Sequence, residues 1–208
     1  MIIMDEDHLL MARVASGCSS AFNQIIKKYQ QPLLNFVYRL VGDRHLAEEV
    51  AQEAFLRVYL SARRYRPETK FSTYLYQVAR NVSLNALRHR KFVSFFHDPF
   101  AAVSASKVSL RQGEENSRQR IKEIVSQAIG NLPVSQRTAL VLAKYDGLSV
   151  KEIALIMKTS LPAVKSLLHR ARETLKKELA PLVHAAAGSE RNLQPGECVS
   201  MVEEENDY

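Results

Sequence analysis

The stretch from Ser149 to Leu179 constrains the fold of this chain more than any other part of the sequence. Ser149 and Glu152 have the spacing of a capping box, and the apolar residues that follow recur with helical period, which predicts a short amphipathic helix. After an interruption at residues 158–160, Ser160 can cap a second, longer helix that has Pro162 in its first turn. The buried stripe of that helix is predicted to consist of Val164, Leu167, Leu168, Ala171, Leu175 and Leu179. A short helix, a tight turn and a longer helix with a basic outer face are typical of a helix-turn-helix, whose second helix enters the DNA major groove.

This stretch alone leaves two interpretations open. Adjacent amphipathic helices occur in any helical bundle, and a face of lysine and arginine is usually just solvated. The formal net charge of +7 favours a polyanionic partner, nucleic acid before membrane, although charge by itself discriminates poorly. The choice between a DNA-binding helix pair and a plain bundle therefore depends on the rest of the chain.

Residues 61–91 have the most unusual composition of the chain. Lysine and arginine are frequent there, Glu68 is the single acid, and aromatic residues lie between the basic ones. On the helix predicted to restart near residue 72, a polar ridge at helical spacing consists of Tyr74, Gln77, Asn81, Asn85 and Arg88. Basic groups, stacking rings and asparagine amides together suit single-stranded nucleic acid. The alternative is that the rings pack in the core, and we assign Tyr76 to the core but keep Tyr74 on the surface because it belongs to the ridge.

The N-terminal part shows helical patterning throughout, without the alternation of a strand. We expect Ser19 or Ser20 to cap one helix and Pro32 to open the next, which Gly42 ends. Asp43 then caps a helix over residues 44–60. The side opposite its apolar stripe carries Glu48, Glu49, Gln52, Glu53 and Arg57. Taken alone, this side is either a solvated face or an interface.

The sequence predicts an all-α chain with two helical domains joined by a flexible linker. The first domain spans residues 5–91 and the second spans residues 118–180. Between them, residues 92–117 are rich in serine and lack periodicity, which is typical of a linker, although several phenylalanines there are unusual for a solvated tether. Residues 181–208 end in an acidic run and are expected to be a disordered tail.

The sequence also excludes several kinds of protein. It contains none of the residue patterns of phosphate-binding loops, dinucleotide-binding turns, zinc proteases or serine hydrolases. Cys18 and Cys198 lie far apart and indicate neither a disulfide framework nor a zinc site. No apolar run approaches ~18 residues. We therefore expect a cytoplasmic protein that is not an enzyme and that has no catalytic residues, no cofactor, no metal, no small-molecule substrate and no membrane insertion.

Three motifs carry a resemblance to a known family. They are A-E-E-V-A-Q-E-A-F-L-R-V-Y over residues 47–59, K-F-S-T-Y-L-Y-Q-V-A-R-N over residues 70–81, and L-P-V-S-Q-R-T-A-L-V-L-A-K-Y-D-G-L-S-V-K-E-I-A over residues 132–154. In this order they resemble the extracytoplasmic-function (group IV) bacterial sigma factors of the sigma-70 family. The resemblance covers both domains, roughly residues 5–180, and implies a protein that confers promoter specificity on core RNA polymerase.

The resemblance also implies sites and partners. The helix over residues 46–60 would dock on the clamp helices of core RNA polymerase through Glu49, Gln52, Glu53 and Phe55. The first domain, conserved region two, would capture and melt the minus-ten element of promoter DNA through Arg66, Lys70, Phe71, Tyr74, Gln77, Arg80, Asn81, Asn85 and Arg88, with Asn81 at the base-reading position. The second domain, region four, would bind the minus-thirty-five element through Pro162, Lys165, Ser166, His169, Arg170 and Lys176. The family is commonly held inactive by an anti-sigma factor, which becomes an expected partner.

Two positions depart from the family pattern. The family often has tryptophan where this chain has Tyr74, which keeps a stacking surface of smaller area. It often has arginine where this chain has Leu167, which removes one phosphate or base contact and changes the promoter preference that can be expected.

Two rival interpretations make different predictions. A helix-turn-helix repressor that binds a palindromic operator as a dimer would bind duplex DNA alone, but it gives residues 61–91 no role. A helical adaptor for proteins would show no salt-dependent binding to promoter DNA, whereas neutralisation of phosphates predicts a steep salt dependence.

Overall fold

The computed structural model describes residues 6–97 and 116–187, with side chains over residues 6–90 and 123–180. Over these ranges the chain is helical and contains no strand, so the predicted all-α class is confirmed. The helices are α1 (Glu6–Ala15), α2 (Ser19–Val41), α3 (Arg44–Ser61), α4 (Phe71–His97), α5 (Asn116–Asn131), α6 (Val134–Lys144), α7 (Val150–Met157) and α8 (Leu161–Ala187), with a 3₁₀ turn at Ala62–Arg64. None of the helices in these ranges is long and apolar enough to cross a membrane.

Helices α1 to α4 form the first domain, which packs around α2. Apolar residues three and four apart on each helix meet in a core whose largest fully buried side chains include Phe36, Phe71, Met11, Ile25 and Leu75. Gly42 ends α2 in the left-handed conformation, with φ of 73°, which glycine adopts without steric strain. Asp43 then caps α3, since its side chain accepts a hydrogen bond of 3.1 Å from the Leu46 amide.

The prediction of a helix break at Pro32 is wrong. Helix α2 is continuous, with Pro32 inside it, and Cys18 rather than a serine precedes its first residue, without a side-chain cap. An interior proline removes one backbone hydrogen bond and disfavours a helix. Here Leu33, Phe36 and Val37 follow the proline on the same buried face as Ile25, so tertiary packing on both sides holds the helix together.

Helices α5 to α8 form the second domain, and its helix-turn-helix is present as predicted. Ser149 and Glu152 make both bonds of the capping box at the start of α7. Lys158 ends α7 in the left-handed conformation with φ of 52°. Ser160 then caps α8, since its hydroxyl accepts a bond of 3.3 Å from the Ala163 amide. Val164 and Ala171 on α8 are fully buried against α6 and α7.

Three helices extend beyond the predicted domain limits. Helix α4 continues to His97 although the first domain was predicted to end at residue 91, and α5 begins at Asn116. Helix α8 continues to Ala187, seven residues into the segment predicted to be a disordered tail. Residues 91–97 contain neither glycine nor proline, and Pro181 in α8 does not break the helix. The remainder of the predicted linker, its Phe100, and the remainder of the tail lie outside the described residues.

The two domains contact each other through α4 with α7 and α2 with α6. Arg137 of α6 lies at this junction. Its guanidinium donates to the carbonyl oxygens of Gly130 and Leu132 in its own domain, and across the junction to that of Leu40, at 2.6 Å. Each acceptor lies at or just beyond the C-terminal end of a helix, where backbone carbonyls have no partner within the helix. Arg137 therefore satisfies helix ends in both domains.

Candidate nucleic-acid interface

Helix α4 positions the polar ridge that the sequence predicted. We call this set the α4 ridge: Tyr74, Gln77, Asn81, Asn85 and Arg88. Asn81, Asn85 and Arg88 are exposed, while Tyr74 and Gln77 are half-buried. Leu75 and Ala79, on the other side of the helix, are fully buried and fix its orientation. The ridge therefore presents amide and guanidinium groups along one side of a rigid helix.

Basic residues flank the ridge. Arg66 and Lys70 are exposed in the segment before α4, and Arg80 is half-buried next to Asn81, to whose side-chain oxygen it donates at 3.4 Å. Burial, and then the nearby Arg88, lower the pKa of the Arg80 guanidinium below its ordinary value. Lys and Arg at the edge of a ridge of amides are suited to phosphates on either side of a base contact.

An aromatic cluster closes one end of the ridge. The ring of Tyr74 lies 5.0 Å from that of Tyr65 and 6.4 Å from that of Phe71, measured between centroids. The Tyr74 hydroxyl makes a hydrogen bond of 2.6 Å with the hydroxyl of Ser61, which fixes the ring. Tyr74 is therefore half-buried with its ring held in place, and its role as a stacking residue stays a prediction.

The structure corrects the role of Phe71 and confirms that of Tyr76. Phe71 was predicted to contact DNA, but its side chain is fully buried because it is the first residue of α4 on the core side. It can support the Tyr74 ring from behind but cannot touch a base in this conformation. Tyr76 is 6% exposed and packs edge-on against Phe36 at 5.0 Å, so it belongs to the core as predicted.

Helix α8 exposes the second predicted nucleic-acid surface. Lys165, His169, Arg170 and Lys176 are exposed, Ser166 is half-buried between them, and Pro162 is exposed at the start of the helix. Leu167 is half-buried and packs against the core, so it contributes no polar contact at the position where the family often has arginine. These residues lie on one side of the second helix of a helix-turn-helix, the side that faces DNA in that motif.

Helix α3 carries a third surface, which is acidic and apolar. Glu49 and Gln52 are exposed, and Glu53 is half-buried and accepts a hydrogen bond of 2.7 Å from Arg57. Phe55 was predicted to belong to this interface, but it is 8% exposed and packs edge-on against Phe22. Since Phe55 points into the core, it supports the interface only from inside.

The sequence reasoning missed two residues of this surface. Leu56 and Leu60 are 50% and 71% exposed, an unusual environment for leucine on a packed helix. They follow Glu49, Gln52 and Glu53 at helical spacing. The sequence therefore shows that the face of α3 that carries these polar residues continues with two leucines. We call these five residues the α3 outer strip. An exposed apolar strip next to acids is typical of a protein–protein contact.

The domain contact brings together residues that the sequence placed 70 positions apart. The Tyr76 hydroxyl donates a hydrogen bond of 2.9 Å to Oδ1 of Asp146, which lies in the loop between α6 and α7. Next to this bond, the guanidinium of Arg39 lies 4.1 Å above the centre of the Tyr145 ring. Among the described residues, Oδ2 of Asp146 has no hydrogen-bond partner although it is buried. A buried carboxylate oxygen without a hydrogen-bond partner destabilises the contact that buries it by about 1–3 kcal/mol.

Burial at the domain contact raises the pKa of the Asp146 carboxyl to about 6, against the opposing effects of the Tyr76 hydrogen bond and the Arg39 charge. When the domains separate, Asp146 faces water and its pKa returns towards the ordinary value near 3.9. The closed arrangement therefore binds a proton more tightly, so its stability increases as the pH falls through about 6 and is lost as the pH rises. Tyr76 and Arg39 are the charged and titratable groups that face Asp146.

We expect the free chain to become more compact as the pH falls from about 7 to about 4, because over this window the closed form binds the Asp146 proton and the separated form does not. The radius of gyration from small-angle X-ray scattering measures this. Asp146→Asn removes the titrating group and should make the radius independent of pH over the same range. If the radius of gyration of Asp146→Asn still changes with pH, the change is caused by another titrating group.

The same contact reaches the N-terminal end of the α4 ridge at Gln77, while Lys70 in the preceding segment keeps a side chain that is 69% exposed. Lys70 donates a hydrogen bond of 2.8 Å to Oε1 of Glu152, and Gln77 donates one of 3.1 Å to the Leu155 carbonyl oxygen. The Lys70 hydrogen bond is the largest of the effects that lower the pKa of the Glu152 carboxyl. A groove of about 920 Å³ remains between the domains, lined by Arg66 and Tyr74 on one side and by residues of α7 and the start of α8 on the other.

The described part of the chain contains no group of three histidine, cysteine or acidic side chains that could hold a metal ion.

Comparisons with known proteins agree with this arrangement. Residues 25–93 match the sequence model of Sigma-70 region 2, and residues 122–175 match that of Sigma-70, region 4. The RNA polymerase sigma-H factor of Pseudomonas aeruginosa is 34% identical over 199 residues, which cover 89% of this chain and 100% of the relative. The ECF RNA polymerase sigma factor SigW of Bacillus subtilis is 32% identical over 178 residues, which cover 82% of this chain and 95% of the relative.

A similar solved structure is that of the sigma factor RpoE in complex with the anti-sigma factor NepR from Bartonella quintana. The match has a TM-score of 0.63 and 21% sequence identity, and it covers 76% of this chain and 96% of that chain. At this identity the likeness shows the shared fold alone.

Two helical domains, one with a helix-turn-helix and one with an exposed ridge of amide and basic groups, define a DNA-binding protein of the transcription apparatus. Both domains match their family in the expected order, and the relatives match over nearly their whole length. The chain belongs to the sigma-70 family of RNA polymerase sigma factors, among its extracytoplasmic-function members, as the motifs predicted.

Proposed function

We propose that this chain binds core RNA polymerase through the α3 outer strip, melts the minus-ten element on the α4 ridge and reads the minus-thirty-five element with α8. The observation that carries the proposal is the presence of two separate exposed surfaces of amide and basic groups, one on each domain. A dimeric repressor would need only the second of them. Each domain binds its promoter element weakly by itself. Once polymerase holds the domains at promoter spacing, binding of one element raises the effective concentration of the other domain at its own element, which gives specificity.

The α4 ridge suits a base that has left the stack. Extrusion of a base from a duplex costs a few kcal/mol, which stacking on an aromatic ring and phosphate contacts can offset. Tyr74 offers the ring, and Arg66 and Arg88 are exposed on either side for phosphates. Asn81 is exposed in the middle of the ridge and can donate to and accept from a base edge. The ridge therefore combines the groups needed to trap a single strand.

The α3 outer strip suits a helical partner. It combines the carboxylates of Glu49 and Glu53 with the exposed side chains of Leu56 and Leu60 along one helix face. An apolar centre with a charged rim is the common arrangement of protein interfaces. We assign this strip to the coiled-coil clamp helices of the polymerase largest subunit.

The decisive test is run-off transcription on genomic fragments with purified core polymerase that lacks any other sigma factor. We expect defined transcripts only when this chain is present, and tight promoter binding in a gel shift only when core is present. Tight duplex binding by the chain alone, with no transcripts, would favour the dimeric repressor.

Arg170→Ala should weaken binding to the minus-thirty-five element by ~1–3 kcal/mol if Arg170 contacts a base. Arg170 is exposed on α8, one turn after Ser166. The measurement is the affinity of the holoenzyme for promoters with the native and with a scrambled upstream element. Lys144→Ala removes an exposed cation at the end of α6, outside the DNA-facing side of α8, and serves as the control. Equal losses in the two variants, or an unchanged upstream footprint, would assign Arg170 to the solvated surface.

We further propose that the chain catalyses nothing itself, acts in the cytoplasm, and is held inactive by an anti-sigma factor. The last point is supported by the relation to the family and by the name of the partner in the Bartonella quintana complex. Co-purification of a tagged chain with and without overexpressed core polymerase would identify a competing partner.

A further inference from the structure

We propose that Ser61 is a positioning residue for promoter melting: its hydroxyl accepts the proton of the Tyr74 hydroxyl and so fixes the stacking ring against the end of α3. This inference rests on the proposed function of the α4 ridge, in which Tyr74 stacks on an extruded base. The hydrogen bond lies within the first domain and can be tested without DNA or polymerase.

The direction of the bond between the two hydroxyls follows from a second contact of Ser61. The Ser61 hydroxyl lies 3.0 Å from the Val58 carbonyl oxygen and 2.6 Å from the Tyr74 hydroxyl oxygen. A carbonyl oxygen can only accept and a serine hydroxyl carries a single proton, so that proton belongs to the bond with Val58. Tyr74 therefore donates to Ser61. Val58 is one of the last four residues of α3, whose carbonyls have no amide donor within the helix, and the serine supplies one.

The bond acts on the far end of a ring that is otherwise held by apolar contacts. Tyr74 lies in the first turn of α4 and is half-buried. Its ring meets those of Tyr65 and Phe71 at centroid distances of 5.0 and 6.4 Å, with interplanar angles of 50° and 54°. Tilted ring contacts tolerate some rotation, whereas a hydrogen bond at the hydroxyl fixes both side-chain torsions. A ring that is already fixed loses less conformational entropy when a base stacks on it.

The Tyr74 proton is committed to Ser61 and is not available to a phosphate. Phosphates near the ring then depend on cations such as Arg66 and Arg88, which are exposed, while Tyr74 contributes its ring. Tyr74→Phe keeps that ring and removes only the hydroxyl. The substitution therefore tests the position of the ring and not a lost contact with DNA.

Ser61 also joins two of the proposed surfaces. It is the last residue of α3 and directly follows Leu60, which belongs to the α3 outer strip. Its bond to Tyr74 connects the helix proposed to bind polymerase with the ring proposed to stack on a base. Once polymerase holds α3, the Tyr74 ring is held relative to the same helix.

The test is a double-mutant cycle on the full chain. Ser61→Ala removes the acceptor, Tyr74→Phe removes the donor, and the third variant combines them. Ser61→Thr keeps a hydroxyl that can bond the carbonyl three residues back, and is the rescue variant. Ser16→Ala is the matched control, because the Ser16 hydroxyl donates at 2.8 Å to the Arg13 carbonyl at the end of α1, and among the described residues no tyrosine hydroxyl shares that contact. Circular dichroism checks that each variant is folded.

Two measurements follow on each variant. Carbon-13 NMR of chains with labelled tyrosine rings reports the environment and mobility of the Tyr74 ring in the free chain, and the signal missing from Tyr74→Phe assigns it. Permanganate reactivity of promoter thymines, with the chain saturated by core polymerase, reports melting. Titration with core polymerase shows whether binding to polymerase has changed.

We expect Ser61→Ala to shift the Tyr74 signal and to lower open-complex formation about 2- to 10-fold, the range that one neutral hydrogen bond gives, with core binding unchanged. Tyr74→Phe should lower it by a similar factor, the double variant should lose no more than either single variant, and Ser61→Thr should restore melting. Losses that multiply in the double variant, or an equal loss in Ser16→Ala, would overturn the positioning role. An unchanged Tyr74 signal in Ser61→Ala would overturn the bond alone, whereas a wild-type chain that gives no transcript with core would overturn the proposed function of the ridge.

Discussion

Replacing Leu60 by aspartate should weaken the binding of this sigma factor to core RNA polymerase by at least about 30-fold. Leu60 is 71% exposed on α3, at the end of the outer strip. A carboxylate forced into an apolar contact without a hydrogen-bond partner costs at least about 2 kcal/mol, which corresponds to about 30-fold in affinity. Leu56→Asp should act in the same direction, and the double variant should abolish transcription. Titration of labelled chain with core polymerase measures the affinity.

The control for this prediction is Leu9→Asp. Leu9 is 53% exposed on α1 and is not one of the strip residues, so the substitution has the same chemistry and similar exposure. Surface substitutions of this kind change the free energy of unfolding by roughly 0.5 kcal/mol or less, and all three variants should remain folded. Core binding that falls equally in Leu9→Asp and Leu60→Asp would contradict the assignment of the strip.

Asn81→Ala should reduce open-complex formation by about 5- to 150-fold while core binding stays unchanged. An asparagine amide that both donates to and accepts from a base edge contributes about 1–3 kcal/mol of discrimination, which gives this range. Asn81 is exposed on the α4 ridge and is not part of the core, so its truncation removes the base contact and, within the domain, the 3.4 Å hydrogen bond from Arg80. Permanganate reactivity of unpaired thymines in the promoter measures melting.

Asn23→Ala is the matched variant, since Asn23 is exposed on α2 and lies outside every proposed surface. It should melt the promoter like the wild-type chain. Equal loss of core binding and of melting in Asn81→Ala would mean that Asn81 stabilises the domain or its polymerase contact and reads no base.

Local signals in the sequence predicted most of the secondary structure. The capping box of Ser149 and Glu152, the Asp43 cap and the left-handed Gly42 each depend on a few neighbouring residues, and each is present. Pro32 shows the limit of such signals. The local preference of proline against a helix interior is outweighed by packing on both sides of it, which involves helices distant in sequence.

Exposure was harder to predict than helicity. Phe55 and Leu56 are adjacent and both apolar, yet one is in the core and the other is half-exposed, because their directions on α3 differ relative to α2 and α4. The resemblance implied that Phe71 contacts DNA, but its direction at the start of α4 buries it. The Tyr76–Asp146 bond has no local signal, since its partners are 70 positions apart. The contacts between the domains could therefore not be predicted from the sequence alone.

Arg137 has a consequence for how the two domains part. Of its three carbonyl acceptors, only that of Leu40 belongs to the other domain, while those of Gly130 and Leu132 are internal. Detachment of Arg137 frees only the Leu40 oxygen near the end of α2, where water can replace the lost donor. Neither domain needs to refold as the two separate, so we expect them to move as rigid bodies. The rate of promoter engagement would then be set by diffusion of the domains and not by repacking of their cores.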